Sequence, residues 1–121
     1  MVTKLNLSGN NVVDVQHIAN LQNLTYLNLA RNKVKNISIF ANEENFPNLR
    51  WLDVSSNKFT EFPAFKIPKC DYLDISFNKL EKVNEGWAGH DNLKIIKSVD
   101  NKFKNLAPFK NLPRLEELYL A

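Results

Sequence analysis

The sequence predicts an α/β solenoid. Short strands form one parallel sheet along a concave face, and 3₁₀, loop or short-helix returns close each coil on the convex side. Three observations predict it. Asparagines Asn10, Asn32, Asn57, Asn78 and Asn101 recur at spacings of 22, 25, 21 and 23 residues. Five and three positions before each stands an apolar pair: Leu5 and Leu7, Leu27 and Leu29, Leu52 and Val54, Leu73 and Ile75, and Ile96 with Ser98 as the one lapse. Two and five positions after each, apolar residues return as Val12 and Val15, Val34 and Ile37, Phe59 and Phe62, Leu80 and Val83, Phe103 and Leu106.

Each element follows from these positions. The Leu-x-Leu alternation buries two side chains and turns the residues between them outward, which is the period of a strand. Beyond the asparagine the period lengthens to three, as in Val12, Val15, Ile18 and Leu21, which suits a 3₁₀ return better than a strand. No such unit buries its apolar face alone, so the units must stack. The chain of 121 residues therefore reads as one domain over 1–121, with five full units and a partial sixth opened by Leu115, Leu118 and Leu120. Neither end carries a polar cap, so the array is expected to be part of a longer one.

The turns raise a compositional question, because the chain has 18 asparagines and 3 glycines. Asparagine tolerates left-handed geometry and pairs backbone groups with its amide. One inward asparagine per turn is therefore expected to bridge the turns above and below it, satisfying backbone groups that no strand reaches. Ser98 is expected to weaken the core locally. The segment Ala41-Asn42-Glu43-Glu44-Asn45 adds three residues before Phe46 and reads as an accommodated loop insertion. Pro47, Pro63, Pro68, Pro108 and Pro113 fall in returns or just before strands, where a missing donor is tolerated.

Sites for chemistry are few. His17 and His90 are isolated, with no carboxylates at ligand spacing, and read as surface histidines. Cys70 occupies a position that is leucine in other units, namely Leu24, Leu49, Leu93 and Leu115, so it reads as a core thiol. No glycine-rich phosphate loop is present, and no cofactor, metal or catalysis is expected. No apolar run approaches the ~20 residues of a membrane-spanning helix. The net charge of +3 is too mild to imply nucleic acid. Lys33, Lys58, Lys79 and Lys102 follow the asparagines and read as a solvated edge, with attraction of an acidic tail such as that of tubulin, or of a nucleic-acid backbone, as the other readings. The matches Asn6-Leu7-Ser8, Asn23-Leu24-Thr25 and Asn36-Ile37-Ser38 to the glycosylation pattern are close to what 18 asparagines produce by chance.

The outward strand residues form columns across the sheet. One column reads Lys4, Tyr26, Trp51, Tyr72, Ile95, Glu117, and the next Asn6, Asn28, Asp53, Asp74, Lys97, Tyr119. Strands ~4.8 Å apart make Tyr26 to Ile95 an apolar stripe of about 15 Å. Further along lie Arg31, Ser56, Phe77 and Asp100. Aromatic residues beside charges have the composition of a protein-binding hot spot. The expected partner-binding residues are Tyr26, Asn28, Trp51, Asp53, Tyr72, Asp74, Phe77, Ile95, Lys97 and Tyr119. Asp53 and Asp74 are expected to raise each other's pKa and to serve recognition, not acid–base work.

The pattern L-x-x-L-x-L-x-x-N-x-Φ, as in Leu24-Thr25-Tyr26-Leu27-Asn28-Leu29-Ala30-Arg31-Asn32-Lys33-Val34, resembles the leucine-rich repeat family. Its 22-residue form looks like that of phosphatase-1 regulators and the dynein outer-arm light chain. The resemblance implies an intracellular protein that binds other proteins through its concave face. Over residues 46–121 a narrower resemblance exists, carried by Phe62-Pro63, Ile67-Pro68, Tyr72-Leu73-Asp74-Ile75 and Asn111-Leu112-Pro113-Arg114-Leu115-Glu116-Glu117-Leu118-Tyr119-Leu120-Ala121. These segments are similar to the leucine-rich-repeat protein of ciliary radial spokes, which implies an adaptor in the axoneme, within the cytoskeleton. A phosphatase-docking regulator and a subunit of an RNA-processing complex are the alternatives.

Overall fold

A computed structural model describes residues 1–62, 66–83, 90–103, 109 and 111–120. Six three-residue strands form one parallel sheet: β1 (Lys4–Asn6), β2 (Tyr26–Asn28), β3 (Trp51–Asp53), β5 (Tyr72–Asp74), β7 (Ile95–Lys97) and β8 (Glu117–Tyr119), ordered β1-β2-β3-β5-β7-β8. The register is unshifted from end to end. Tyr26 faces Trp51, Trp51 faces Tyr72, and Tyr72 faces Ile95, while Asn28, Asp53, Asp74 and Lys97 form the parallel row. Beyond the strands the ladder continues through Leu29 N–H to Asp53 O (2.8 Å), Val54 N–H to Asp74 O (2.9 Å) and Ile75 N–H to Lys97 O (2.8 Å).

Behind the sheet lies the core. Leu27, Leu52, Leu73 and Ile96 are fully buried, with Leu29, Val54 and Ile75 beside them. Val34, Phe59 and Leu80 close it after each asparagine, and Ile37 and Phe62 close it again three residues later. Leu106 lies outside the described residues, as do Pro63, Pro108 and Ala121.

The returns are of two kinds. Gln16–Asn20 and Ser38–Ala41 are 3₁₀ turns. Glu61–Phe62 (β4) and Lys82–Val83 (β6) are instead extended and pair in parallel as a second, two-residue sheet. The three-residue period thus describes two returns, and the strand reading prevails in two others, where Phe62 still lands in the core. The insertion after Ala41 is folded tightly against the body. Asn42 Oδ1 accepts the Glu44 N–H (2.9 Å), Asn45 Nδ2 donates to Ile39 O (3.0 Å), and Phe40 and Phe46 pack inside with ring centroids 5.2 Å apart.

Four asparagines tie adjacent turns, and they do so in one direction. Asn32 Oδ1 accepts the N–H groups of Asn10 and Val12 from the preceding unit (2.9 Å each), and its Nδ2 donates to Leu7, Leu29 and Ala30 carbonyls. Asn57 accepts from Val34 and donates to Leu29, Val54 and Ser55. Asn78 accepts from Asn57 N–H and donates to Val54, Ile75 and Ser76. Asn101 accepts from Leu80 and donates to Ile75 O. Each side chain therefore bridges its own turn and the one before it, whereas a bridge to both neighbours was the expectation. Asn10 is exposed, and its side chain bonds only within its own turn, to Leu7 and Ser8.

The left-handed position is a further difference. The residue just before each ladder asparagine takes positive φ: Gly9 (72°), Arg31 (55°), Ser56 (54°), Phe77 (55°) and Asp100 (56°). Among the described residues the only asparagine that does so is Asn11 (57°). Turning the chain and pairing its backbone are thus divided between neighbours, because an amide already fixed by inward bonds leaves the reversal to the residue ahead. Ser98 also departs from its expected role. It is buried, and its hydroxyl accepts from Asn101 Nδ2 (3.3 Å), so the slot serves the polar ladder.

His90 is buried, not on the surface. It stands three residues before Leu93, the place held by Leu21, Phe46, Ile67 and Leu112 in the other units. There the backbone turns toward the strand, with Leu93 N–H donating to His90 O (3.4 Å) as Cys70 N–H does to Ile67 O (3.1 Å). His17 is exposed as expected.

Candidate functional site

At the centre of the sheet's open face, three rings are stacked. Unshifted register sets Tyr26, Trp51 and Tyr72 side by side on β2, β3 and β5. Tyr26 and Trp51 have centroids 4.3 Å apart and planes 11° from parallel, and Trp51 and Tyr72 are at 4.9 Å and 1°. Strand spacing is close to the stacking distance of aromatic rings, so adjacent strands place the rings face to face. All three are half-buried. Their faces cover one another, and their edges meet solvent. Burial, then the Asp74 charge, pushes the Tyr72 hydroxyl above its ordinary pKa.

The next column carries a second, structural duty. Asn6, Asn28, Asp53 and Asp74 each accept, through Oδ1, the backbone N–H two residues on, at Ser8 (3.0 Å), Ala30 (3.0 Å), Ser55 (2.9 Å) and Ser76 (2.9 Å). This is the Asx turn, which bends the chain out of the strand. Lys97 has no acceptor to offer, and there the N–H of Val99 turns to the Ser76 hydroxyl of the previous unit (3.0 Å). Sequence reasoning missed this use of Ser76, although the break from Asn/Asp to Lys in the column was its signal.

Asp53 and Asp74 face each other across β3 and β5. Burial, and to a smaller degree the Asp74 charge, raises the Asp53 carboxyl above its ordinary pKa, against the hydrogen bonds from Ser55 and the field of Lys97. The mutual effect expected from sequence is thus present at Asp53, but burial is the larger cause. Lys97 itself is held aside, with Nζ 5.6 Å from the centroids of both Tyr72 and Tyr119. Tyr119 Oη donates to Glu117 (2.8 Å).

Of the remaining predicted residues, Ile95 is half-buried and ends the aromatic column. Phe77 is 52% exposed, a large apolar side chain on a left-handed residue where such a group carries steric cost. Tyr119 is 44% exposed on β8, the edge strand, whose Leu118 is 38% exposed. The structure thus gathers Tyr26, Trp51, Tyr72, Asp53, Asp74 and Lys97 into one continuous surface. Lys33, Lys58, Lys79 and Lys102 stand exposed in a row beyond the asparagine ladder.

Cys70 is a core thiol. It is buried, its Sγ–H donates to Tyr72 O (3.1 Å), and burial pushes its pKa far above the ordinary value. Among the described residues, no group of three or more His, Cys, Asp or Glu is placed to hold a metal ion, and no helix is long and apolar enough to cross a membrane.

Comparison with known proteins gives a consistent picture. A family model described as Leucine Rich repeats (2 copies) matches residues 1–42, and one described as Leucine Rich Repeat matches residues 48–70. No curated protein matches the chain. Among solved structures, an internalin from Listeria monocytogenes superposes with a TM-score of 0.88 at 26% identity, over 98% of this chain and 34% of its own. InlP of the same organism gives 0.78 at 27%, over 98% and 33%. A leucine-rich repeat protein of Leptospira interrogans gives 0.85 at 24%, over 99% and 32%, a likeness of fold. The chain spans about a third of the length of these structures. With repeat matches over more than half of its residues and the asparagine-laddered parallel sheet described above, the chain belongs to the leucine-rich repeat proteins.

Proposed function

We propose that the chain is a non-catalytic protein-recognition scaffold whose partner lies across the concave sheet. The observation that carries this reading is the Tyr26–Trp51–Tyr72 stack beside Asp53 and Asp74 on the open face. A stack already fixed by its own strands offers a partner apolar area at little entropic cost. The leucine-rich repeat architecture, generally a protein-binding one, supports it. The finer reading is an adaptor inside the cell, in the ciliary axoneme, held to radial spoke or dynein components. Its support is the resemblance of residues 46–121 and the 22-residue repeat form. The internalin-like structures support a binding scaffold without bearing on the compartment.

A pull-down from native extract tests both levels, with the intact protein set against Trp51→Ala/Tyr72→Ala. A stoichiometric partner captured by the first and lost by the second is the expected result. Spoke or dynein components would fix the setting, whereas a phosphatase or splicing factors would overturn the axonemal reading. Capture indifferent to the double substitution would move the site off the concave face.

A further inference from the structure

The concave face carries charges that its fold does not require. The Asx turn after each strand needs one acceptor oxygen, and Asn6 and Asn28 supply it without charge in the same column. At β3 and β5 the same turn is made by aspartates. Two negative charges therefore sit on adjacent strands, in register, at the middle of the open sheet. Parallel strands put the backbones of the two aspartates ~4.8 Å apart. Lys97, whose charge reaches both Asp53 and Asp74, stands between the rings of Tyr72 and Tyr119.

Resting on the reading of this face as the partner surface, we propose that its occupant is a basic protein segment, with an arginine seated across Asp53 and Asp74 and an apolar neighbour against Phe77. A carboxylate offers about four acceptor sites, and the fold takes only part of that capacity at Asp74 through the Ser76 N–H. A guanidinium is a planar fork of five donors, suited to bridging two carboxylates as a compact ammonium is not. Trp51 does not compete for the cation, and the Tyr72 ring already has Lys97 over it. A cation is attracted to the face of a ring, and the faces of Trp51 are covered by Tyr26 and Tyr72. Recognition of charge thus belongs to the carboxylates, and the ring edges supply apolar area beside it. Phe77 stands 52% exposed one residue past the Asx turn that joins Asp74 to Ser76. Lys97 on the following strand adds the opposite sign, so the complementary segment carries its cation toward β3 and β5 and tolerates an acidic residue toward β7.

The test is selection of a random dodecamer peptide library on the intact protein, followed by affinity measurement on Asp53→Asn/Asp74→Asn. The substitution retains the Oδ1 acceptors, so the fold is expected to persist by circular dichroism and melting. Enriched peptides are expected to share an arginine next to an apolar residue, and to lose about tenfold or more in affinity for the double variant. Peptides that lack a basic residue, or ignore the double variant yet are lost with Trp51→Ala/Tyr72→Ala, overturn the arginine seat and leave the concave-face reading standing. Peptides indifferent to both double variants, or no enrichment at all, overturn both. If the asparagine variant fails to fold, the wild-type protein decides through salt. Binding by the selected peptide must weaken steeply between about 50 mM and about 500 mM salt, and a flat dependence overturns the proposal.

Discussion

Asn57 reaches back across one unit to donate its Nδ2 hydrogen to Leu29 O at 2.9 Å, while its Oδ1 accepts the Val34 N–H at 3.0 Å. Both groups lie in the interior. Asn57→Ala leaves the Val34 N–H unpaired and Leu29 O with Asn32 Nδ2 alone, and is expected to cost about 1–3 kcal/mol. Asn10→Ala, at an exposed position whose side chain bonds only its own turn, should stay within about 0.5 kcal/mol. Urea unfolding of the two variants checks the contrast, and equal losses would refute the ladder's energetic role.

The left-handed residues give a prediction of opposite sign. Arg31 is exposed at φ 55° where Gly9 fills the same place in the first unit. Relief of the side-chain clash is worth about 1–2 kcal/mol, and the extra freedom of an unfolded glycine takes back about 0.5–1 kcal/mol. Arg31→Gly is therefore expected to raise the urea midpoint slightly. Phe77→Gly should do the same while weakening any concave-face partner, so that stability and binding move apart.

Asp53 makes stability depend on pH. Its carboxyl is raised in the folded chain above the ordinary 3.8, first by burial. The folded state holds that proton more tightly than the unfolded one, so the contribution favours folding below the unfolded value and is lost as pH rises through the folded value. Asp53→Asn, with the turn acceptor kept, is expected to be the more stable protein at neutral pH by up to about 0.5 kcal/mol. The difference should shrink below pH 3.8. Thermal melts of both proteins across that range measure it, and a gap that widens in acid would contradict the assignment.

Ser76 and Lys97 should be coupled. Ser76→Ala removes the acceptor for Val99 N–H and is expected to cost about 1 kcal/mol. Lys97→Asn restores to that strand the Asx turn its neighbours use, and in the Ser76→Ala background it should recover most of the loss. A double-mutant cycle reads the coupling directly, and additive effects would sink it.

The strands were legible because burial at alternate positions is a demand on residue type. Leu27, Leu52 and Leu73 have no alternative but apolar side chains. The inward asparagines were legible for the same reason, since few side chains both donate and accept at that depth. The left-handed position was not, because the turn imposes its φ on whatever precedes the asparagine, and glycine, arginine, serine, phenylalanine and aspartate all comply. His90 was misread from its isolation, although its place in the repeat, shared with Leu21, Phe46, Ile67 and Leu112, marked a core slot. At the site, the aromatic and acidic columns could be read from spacing. The face-to-face closure of the rings could not, because it depends on rotamers as well as on register.

The backward reach of the asparagines gives the array a polarity. If the first coil peels away, Asn32 loses its bonds to Asn10, Val12 and Leu7 but keeps those to Leu29 and Ala30 within its own turn. If the coil bearing Asn101 peels away, the coil left behind has its Leu80 N–H stripped of a partner, while Ile75 O keeps Asn78 Nδ2. Each coil is thus completed by its successor, and the cost of fraying differs at the two ends. Fraying at the amino-terminal side strands a side-chain oxygen of the stack that stays, and fraying at the carboxy-terminal side strands a backbone N–H, whose exchange with solvent reports the event.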